Sequence, residues 1–177
     1  MTMLIPSDDV KLKEDCVLFD FETGYKTEDG YVLQAKELYE VLRDEMIKEK
    51  AVGLSACQIG YMVRVFVFGD FMNKDSIIGV FNPTITNYSE EQVTYEEACC
   101  SFPGMFIKVK RPRIIRVRYL TWNNESGTAN YEGYTARVFQ HEYDHLNGIA
   151  FHQRANRYHL EKAKKQKVKL DRMLKIA

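Results

Sequence analysis

Hydrophobic and polar positions recur with a helical period in three segments of the chain. In residues 33–50, apolar side chains return every three or four positions and charged side chains occupy the rest. The apolar positions are Leu38, Val41, Leu42 and Met46. This pattern predicts an amphipathic helix. Similar reasoning predicts a second helix from about Thr135 to Leu146 and a third, basic helix over residues 158–175.

The middle of the chain has the shorter period of β-strands. Residues 62–68 are dense in β-branched and aromatic side chains, and residues 77–81 predict a strand that stops at Asn82-Pro83. Residues 114–122 alternate between apolar and basic side chains. The small apolar residues 51–58 predict a loop with a close backbone approach. Strands grouped between helices predict an α+β fold, with mixed or antiparallel strands around a buried central helix.

Length and composition narrow the class of protein. The chain has 177 residues and no net formal charge, which suits one compact domain. No apolar run approaches the roughly 20 residues that span a bilayer, and the first ten residues lack the pattern of a secretion signal. We therefore expect a monomeric protein that does not bind a membrane. We expect it in the cytoplasm, with an organellar or host-cell location left open.

The segment Gln140-His141-Glu142-Tyr143-Asp144-His145 contains the motif H-E-x-x-H. On a helix the two histidines lie on one face, so both can bind one metal ion, and Glu142 can reach a metal-bound water as general base. A chance spacing of two histidines is the alternative. The apolar flanks argue against chance, because buried histidines and carboxylates need partners that a metal ion provides.

Two histidines leave a catalytic metal site one protein ligand short. No His or Glu follows at the short spacings that complete common zinc proteases. The best candidate is Cys99, within the segment 96–104, since a metal ion would stabilise its thiolate. From the residues alone, a buried structural cysteine remains an equal alternative.

Three motifs together resemble the peptide deformylase family. That family carries G-x-G-x-A-A-x-Q, E-G-C-x-S and Q-H-E-x-D-H-x-x-G in this order. Here residues 51–58 read AVGLSACQ, residues 97–101 read EACCS and residues 140–148 read QHEYDHLNG. The third motif matches at every defining position, and the resemblance covers about residues 3–155. The chain departs from the motifs at Ala51, Ser55 and Ala98.

The resemblance implies hydrolytic removal of the formyl group from N-formylmethionyl peptides. It implies one divalent metal ion, with Fe²⁺ expected as the native ion and Zn²⁺, Ni²⁺ or Co²⁺ able to serve. The implied ligands are Cys99, His141 and His145. Glu142 would carry the proton, while the Gln58 amide and the backbone N–H of Cys100 would stabilise the negative oxygen.

The resemblance also suggests a methionine pocket, and a buried carboxylate at Asp144 would need a partner behind the ligands. The expected pocket walls are Val52, Gly53, Phe102, Val138 and His141. Asp144 is expected to pair with Arg111, and Glu97 to orient the network.

Two other functions compete: a general H-E-x-x-H endopeptidase, which would need a third His or Glu ligand, and a non-enzymatic metal- or ribosome-binding module. The presence of Glu142 argues against the second, because a structural metal site needs no general base.

The last part of the chain is strongly basic. Residues 154–177 contain nine Lys or Arg and two acidic residues, a net charge of +7. We therefore divide the chain into a catalytic domain, residues 1–155, and a basic helical extension, residues 156–177. The extension could direct the enzyme to the phosphates of ribosomal RNA. Equally, it could be a solvated helix that packs on the domain.

Overall fold

A computed structural model describes residues 3–174 and contains three α-helices and nine β-strands within them. The helices are α1 (Ala35–Lys48), α2 (Gly133–His145) and α3 (Arg157–Leu174). The first strands are β1 (Tyr25–Lys26), β2 (Val32–Leu33), β3 (Gly53–Ser55), β4 (Val65–Phe68) and β5 (Ile78–Tyr88). The remaining strands are β6 (Gln92–Glu97), β7 (Ile107–Pro112), β8 (Ile114–Leu120) and β9 (Ser126–Glu132).

The main sheet has five strands in the order β3-β4-β5-β8-β9, and every neighbouring pair is antiparallel. Strands β6 and β7 form a separate antiparallel pair, and β1 with β2 forms a third small sheet. Helices and antiparallel strands occupy different stretches of the chain. The predicted α+β class is therefore confirmed.

Strand β4 lies between two helical layers, and all four of its residues are buried. Val65 and Val67 belong to the core formed with α1, whereas Phe66 and Phe68 pack in the core that contains Phe139 of α2. Alternate side chains of a strand point to opposite faces. Because both faces of the sheet are covered here, the strand is an unbroken apolar run.

Helix α2 runs through the interior, with nine of its thirteen residues buried. It ends at His145, and Gly148 follows with φ +62°. A Cβ at Gly148 would lie 2.6 Å from the backbone oxygen of Lys13. Only glycine combines this left-handed backbone with so close an approach. The helix therefore ends directly after the second histidine of the motif.

The prediction that a strand stops at Asn82-Pro83 is wrong, because β5 continues through both residues. The register with β8 shifts between Phe81 and Thr84, which marks an irregularity of the bulge type. Asn82 has φ +48° there, and its side chain bonds both backbone groups of Phe19, at 2.8 and 2.9 Å. Pro83 lacks an N–H where the ladder is already interrupted, so the strand tolerates it.

The prediction of a loop over residues 51–58 is also wrong in part. Residues 53–55 form β3, paired with β4, and residues 56–59 form a single 3₁₀ turn. The predicted close approach is present: a Cβ at Gly53 would lie 2.6 Å from Oε1 of Glu142. This edge strand therefore lies directly against α2.

The first half of α3 packs on the domain. Ala163 is buried and Leu160 partly buried, in a cluster with Ile107 and Val109 of β7. Further along, Val168 and other apolar side chains are exposed. The division of the chain after residue 155 stays a prediction. No helix within residues 3–174 is both long enough and apolar enough to cross a membrane.

Candidate active site

Two elements bring three metal-binding side chains together. His141 and His145 lie one turn apart on α2, and Cys99 lies two residues beyond the end of β6. Their ligand atoms all lie within 4.8 Å of one another, and all three residues are buried. The Sγ atom of Cys99 is 3.3 Å from Nε2 of His145. One sulfur and two imidazole nitrogens are the donors that zinc and ferrous iron accept in proteins, so the set fits a divalent ion.

The electrostatics of His145 suit a metal ligand. Burial lowers its pKa well below the usual value, and the neighbouring His141 and Arg111 lower it further. A neutral imidazole keeps the lone pair that a metal ion needs. His145 is therefore ready to bind without first losing a proton.

Glu97 orients the other histidine. Its Oε2 lies 3.0 Å from Nδ1 of His141, which leaves Nε2 of that ring as the nitrogen free to bind an ion. Burial alone would raise the pKa of Glu97, but hydrogen bonds from His141 and Arg111 outweigh it and hold the pKa well below the usual range. Glu97 is thus a carboxylate behind the ligand rather than a ligand itself.

Arg111 links Glu97 to Asp144, as the sequence predicted. Its Nε donates to Oε1 of Glu97 at 2.7 Å, and another guanidinium nitrogen donates to Oδ2 of Asp144 at 2.5 Å. Arg154 binds the second oxygen of Asp144 at 2.7 Å. Asp144 follows Glu142 by two positions on α2, so this network fixes the helix that carries the histidines.

Arg137 is a part of the network that the sequence reasoning missed. It lies one turn before His141, and it donates to Oε1 of Glu97 at 2.8 Å and to the backbone oxygens of Val93 and Val109 at 2.6 and 2.9 Å. It thereby ties α2 to the β6–β7 pair. The available signal was a charged residue inside an otherwise apolar stretch of a helix already predicted to be buried.

Glu142 stands beside the three ligands but not among them. Its Oε2 accepts a hydrogen bond from the hydroxyl of Ser55 at 2.6 Å. Burial raises its pKa, an effect that His141 and Ser55 oppose. A buried carboxylate with a raised pKa exchanges protons near neutral pH more readily than an exposed one.

Gln58 and Cys100 lie next to Cys99. The backbone N–H of Ser55 donates to Oε1 of Gln58 at 2.8 Å, so its amide nitrogen faces Ser101 Oγ at 3.0 Å and Cys99 Sγ at 3.5 Å. Burial raises the pKa of the Cys100 thiol to about 12, and the nearby Cys99 adds to this shift. Cys100 therefore stays a neutral thiol, unlike a metal-bound cysteine.

These groups border a cavity of about 490 Å³. The residues predicted for the site that line it are Val52, Gly53, Gln58, Cys99, Cys100, Val138, His141 and Glu142. Its lining also includes residues that the sequence did not indicate, among them Tyr134 and Arg137. Phe102, expected as a pocket wall, is not among the lining residues. It packs instead against Phe151 and His152, with ring centroids 5.9 and 5.0 Å away.

Known proteins are similar to this chain in sequence. A family model described as polypeptide deformylase matches residues 12–161. A peptide deformylase of Treponema pallidum (strain Nichols) is 47% identical over 100 residues, which cover 56% of this chain and 60% of that protein. A peptide deformylase of Wolbachia pipientis (strain wPip) is 37% identical over 146 residues, covering 76% of this chain and 82% of that protein.

Solved structures show the same architecture. A peptide deformylase from Plasmodium falciparum superposes with a TM-score of 0.82 at 26% identity, covering 98% of this chain and 96% of that chain. One from Thermotoga maritima superposes with a TM-score of 0.76 at 33% identity, covering 88% of this chain and 98% of that chain. A family match over most of the sequence, relatives above 30% identity and a shared fold lead to one conclusion: this chain belongs to the polypeptide deformylase family.

Proposed function

We propose that this protein hydrolyses the formyl group from peptides that begin with N-formylmethionine, releasing formate and a free amino terminus. The observation that carries the proposal is the convergence of Cys99, His141 and His145 beside the buried Glu142. Cys99, His141 and Glu142 also line one cavity. Membership of the deformylase family supports the same reaction.

Cys99, His141 and His145 would hold the metal ion. When bound, a divalent ion supplies Lewis acidity and lowers the pKa of water from about 15.7 toward about 7. We propose Fe²⁺ as the native ion, with Zn²⁺, Ni²⁺ or Co²⁺ as substitutes, because one thiolate and two imidazoles accept each of them. Metal analysis of protein purified without oxygen would test the choice of ion.

The chain's own groups then carry out the proton transfers. Glu142 accepts a proton from the attacking water and returns it to the nitrogen of the breaking formyl C–N bond. The amide of Gln58 and the backbone N–H of Cys100 donate hydrogen bonds to the oxygen that becomes negative. Ser55 and Ser101 hold Gln58 at its two ends, so its amide group needs little reorganisation during the reaction.

The cavity suits a methionine side chain. Its volume of about 490 Å³ lies within the range of small-molecule sites. Val52, Gly53 and Val138 give it an apolar wall, and His141, a proposed metal ligand, also lines it. An unbranched thioether fits such a wall by dispersion contacts, without a need for hydrogen bonds.

The decisive experiment compares three substrates on the metal-loaded protein: formyl-Met-Ala-Ser, unformylated Met-Ala-Ser and casein. We expect formate from the first peptide and no reaction with the other two. Casein cleavage without formate release would instead indicate an endopeptidase. No reaction with any substrate, on protein shown to contain metal, would favour a non-enzymatic module.

We also propose that α3 brings the enzyme to the ribosome. It packs on β7 through Ala163, whereas Lys164, Lys165 and Lys169 on the same helix are exposed. An exposed basic helix surface suits the phosphates of RNA, and such binding weakens steeply with salt. An enzyme held near the exit of the nascent chain gains local substrate concentration.

Charge reversal tests this role without removing the buried Ala163. Replacing Lys164, Lys165 and Lys169 with Glu should reduce co-sedimentation with ribosomes at low salt. The matched control reverses three exposed lysines elsewhere, Lys26, Lys74 and Lys110. If both variants and the wild type pellet equally, α3 has only a packing role.

The monomeric state and the cytoplasmic compartment stay predictions. Sedimentation velocity would test the monomeric state.

A further inference from the structure

Strand β3 lies against both carboxylate oxygens of Glu142. The hydroxyl of Ser55 lies 2.6 Å from Oε2. At Gly53, a Cβ would lie 2.6 Å from Oε1, so only glycine leaves room for that oxygen. Residues two apart on a strand face the same side. Two alternate positions of β3 thus locate both oxygens of the general base.

The hydroxyl of Ser55 has two acceptors within reach, both on Glu142. Oε2 lies at 2.6 Å and the backbone oxygen at 3.1 Å. A hydroxyl has one proton to donate and two lone pairs that accept. Oε2 is the nearer acceptor, so the hydroxyl donates to it and holds the carboxylate in one orientation.

We propose that Ser55 is a positioning residue for the deformylation reaction. Its hydroxyl donates to Oε2 of Glu142 and holds the carboxylate in place, so that Oε1, beside the cavity-lining Gly53, faces the reacting water. This inference rests on the proposed function. The family motif has alanine at position 55, so this chain carries a contact that the motif residue cannot make.

Two features allow the contact between Ser55 and Glu142 to be removed without disturbing the rest of the site. The bond from Ser55 to Gln58 uses the backbone N–H, so it survives any side-chain change. Ser55→Ala restores the residue of the family motif, and it removes one oxygen from a fully buried position. We therefore expect this variant to fold and to retain its metal ion.

The test compares the wild type, Ser55→Ala and Ser55→Cys in the formyl-Met-Ala-Ser assay, with metal content measured for each. One hydrogen bond to a charged group corresponds to a kcat loss on the order of tenfold. We expect that loss in both variants with KM unchanged, because a thiol is a weak donor. A perturbed cavity would raise KM instead.

A double variant tests whether the effect of Ser55 on kcat depends on Glu142. In the Glu142→Gln background, Ser55→Ala should have no further effect on the residual rate, because the carboxylate that Ser55 positions is already absent. An equal loss in both backgrounds, or a wild-type kcat in Ser55→Ala, would overturn the role of Ser55 while the wild type remains a deformylase. A metal-loaded wild type that releases no formate would instead remove the proposed function, and this inference with it.

Discussion

Oε2 of Glu97 lies 3.0 Å from Nδ1 of His141, across a separation of 44 residues. Two arginines, Arg111 and Arg137, hold the same carboxylate from the other side. Glu97 therefore couples the β6–β7 pair to the imidazole ring of His141, although it is not itself one of the expected metal ligands.

From this contact we expect Glu97→Gln to weaken metal binding about 10- to 100-fold, the usual effect of losing a carboxylate behind a histidine ligand. Competition with a chromogenic chelator measures the affinity. Glu96→Gln, at the exposed neighbour on the same strand, is the matched control and should bind metal normally. Equal affinities in the two variants would contradict the orienting role.

Glu142→Gln should reduce turnover to a small residual rate and retain the metal ion, because Glu142 is outside the group of ligands. General acid–base groups contribute about 10²- to 10⁴-fold in rate. Formate release and metal content should be measured on the same preparation. A metal-loaded variant with the wild-type rate would rule out the proton transfers described above.

The two adjacent cysteines should behave differently. Cys99→Ala should lose the metal ion or activity, because the sulfur near His145 is removed. Cys100→Ala should retain both, since burial keeps the Cys100 thiol neutral and its backbone N–H is unchanged. Metal analysis and activity of both variants decide the assignment, which the reverse pattern would refute.

Asp144→Asn should destabilise the fold, because Arg111 and Arg154 would both lose a charged partner. Breaking a buried ion pair from one side costs about 3–5 kcal/mol in unfolding free energy. Urea unfolding measures the change. Glu91→Gln, which breaks an exposed pair with Arg113, is the control and should change stability little. A stability loss no larger than that of the control would show that the network is not structural.

Local spacing in the sequence was enough to predict part of this site. The positions of His141, Glu142 and His145 on one buried helix follow from the helical period, which acts over a single turn. The helix itself runs from Gly133 to His145, close to the predicted residues 135–146. A pairing of Arg111 with Asp144 could also be anticipated, because a buried carboxylate requires a partner.

Contacts between distant segments could not be read in this way. Ser55 contacts Glu142 across 87 residues, and its role depends on β3 being a strand where the small residues suggested a loop. The prediction that a strand ends at Asn82-Pro83 failed for a similar reason. The register shift against β8 and the hydrogen bond between Asn82 and Phe19 allow the strand to accommodate the proline.

By itself, then, the sequence determined the α+β class, the helix with its two histidines and, through three motifs, the family. Only the tertiary structure decided which other groups surround them: Arg137 on the inner side of α2, Ser55 against the general base, and Phe102 away from the cavity. The physical reason is range. Helical and strand periods depend on neighbours in the chain, whereas the geometry of a catalytic site depends on how separate elements pack.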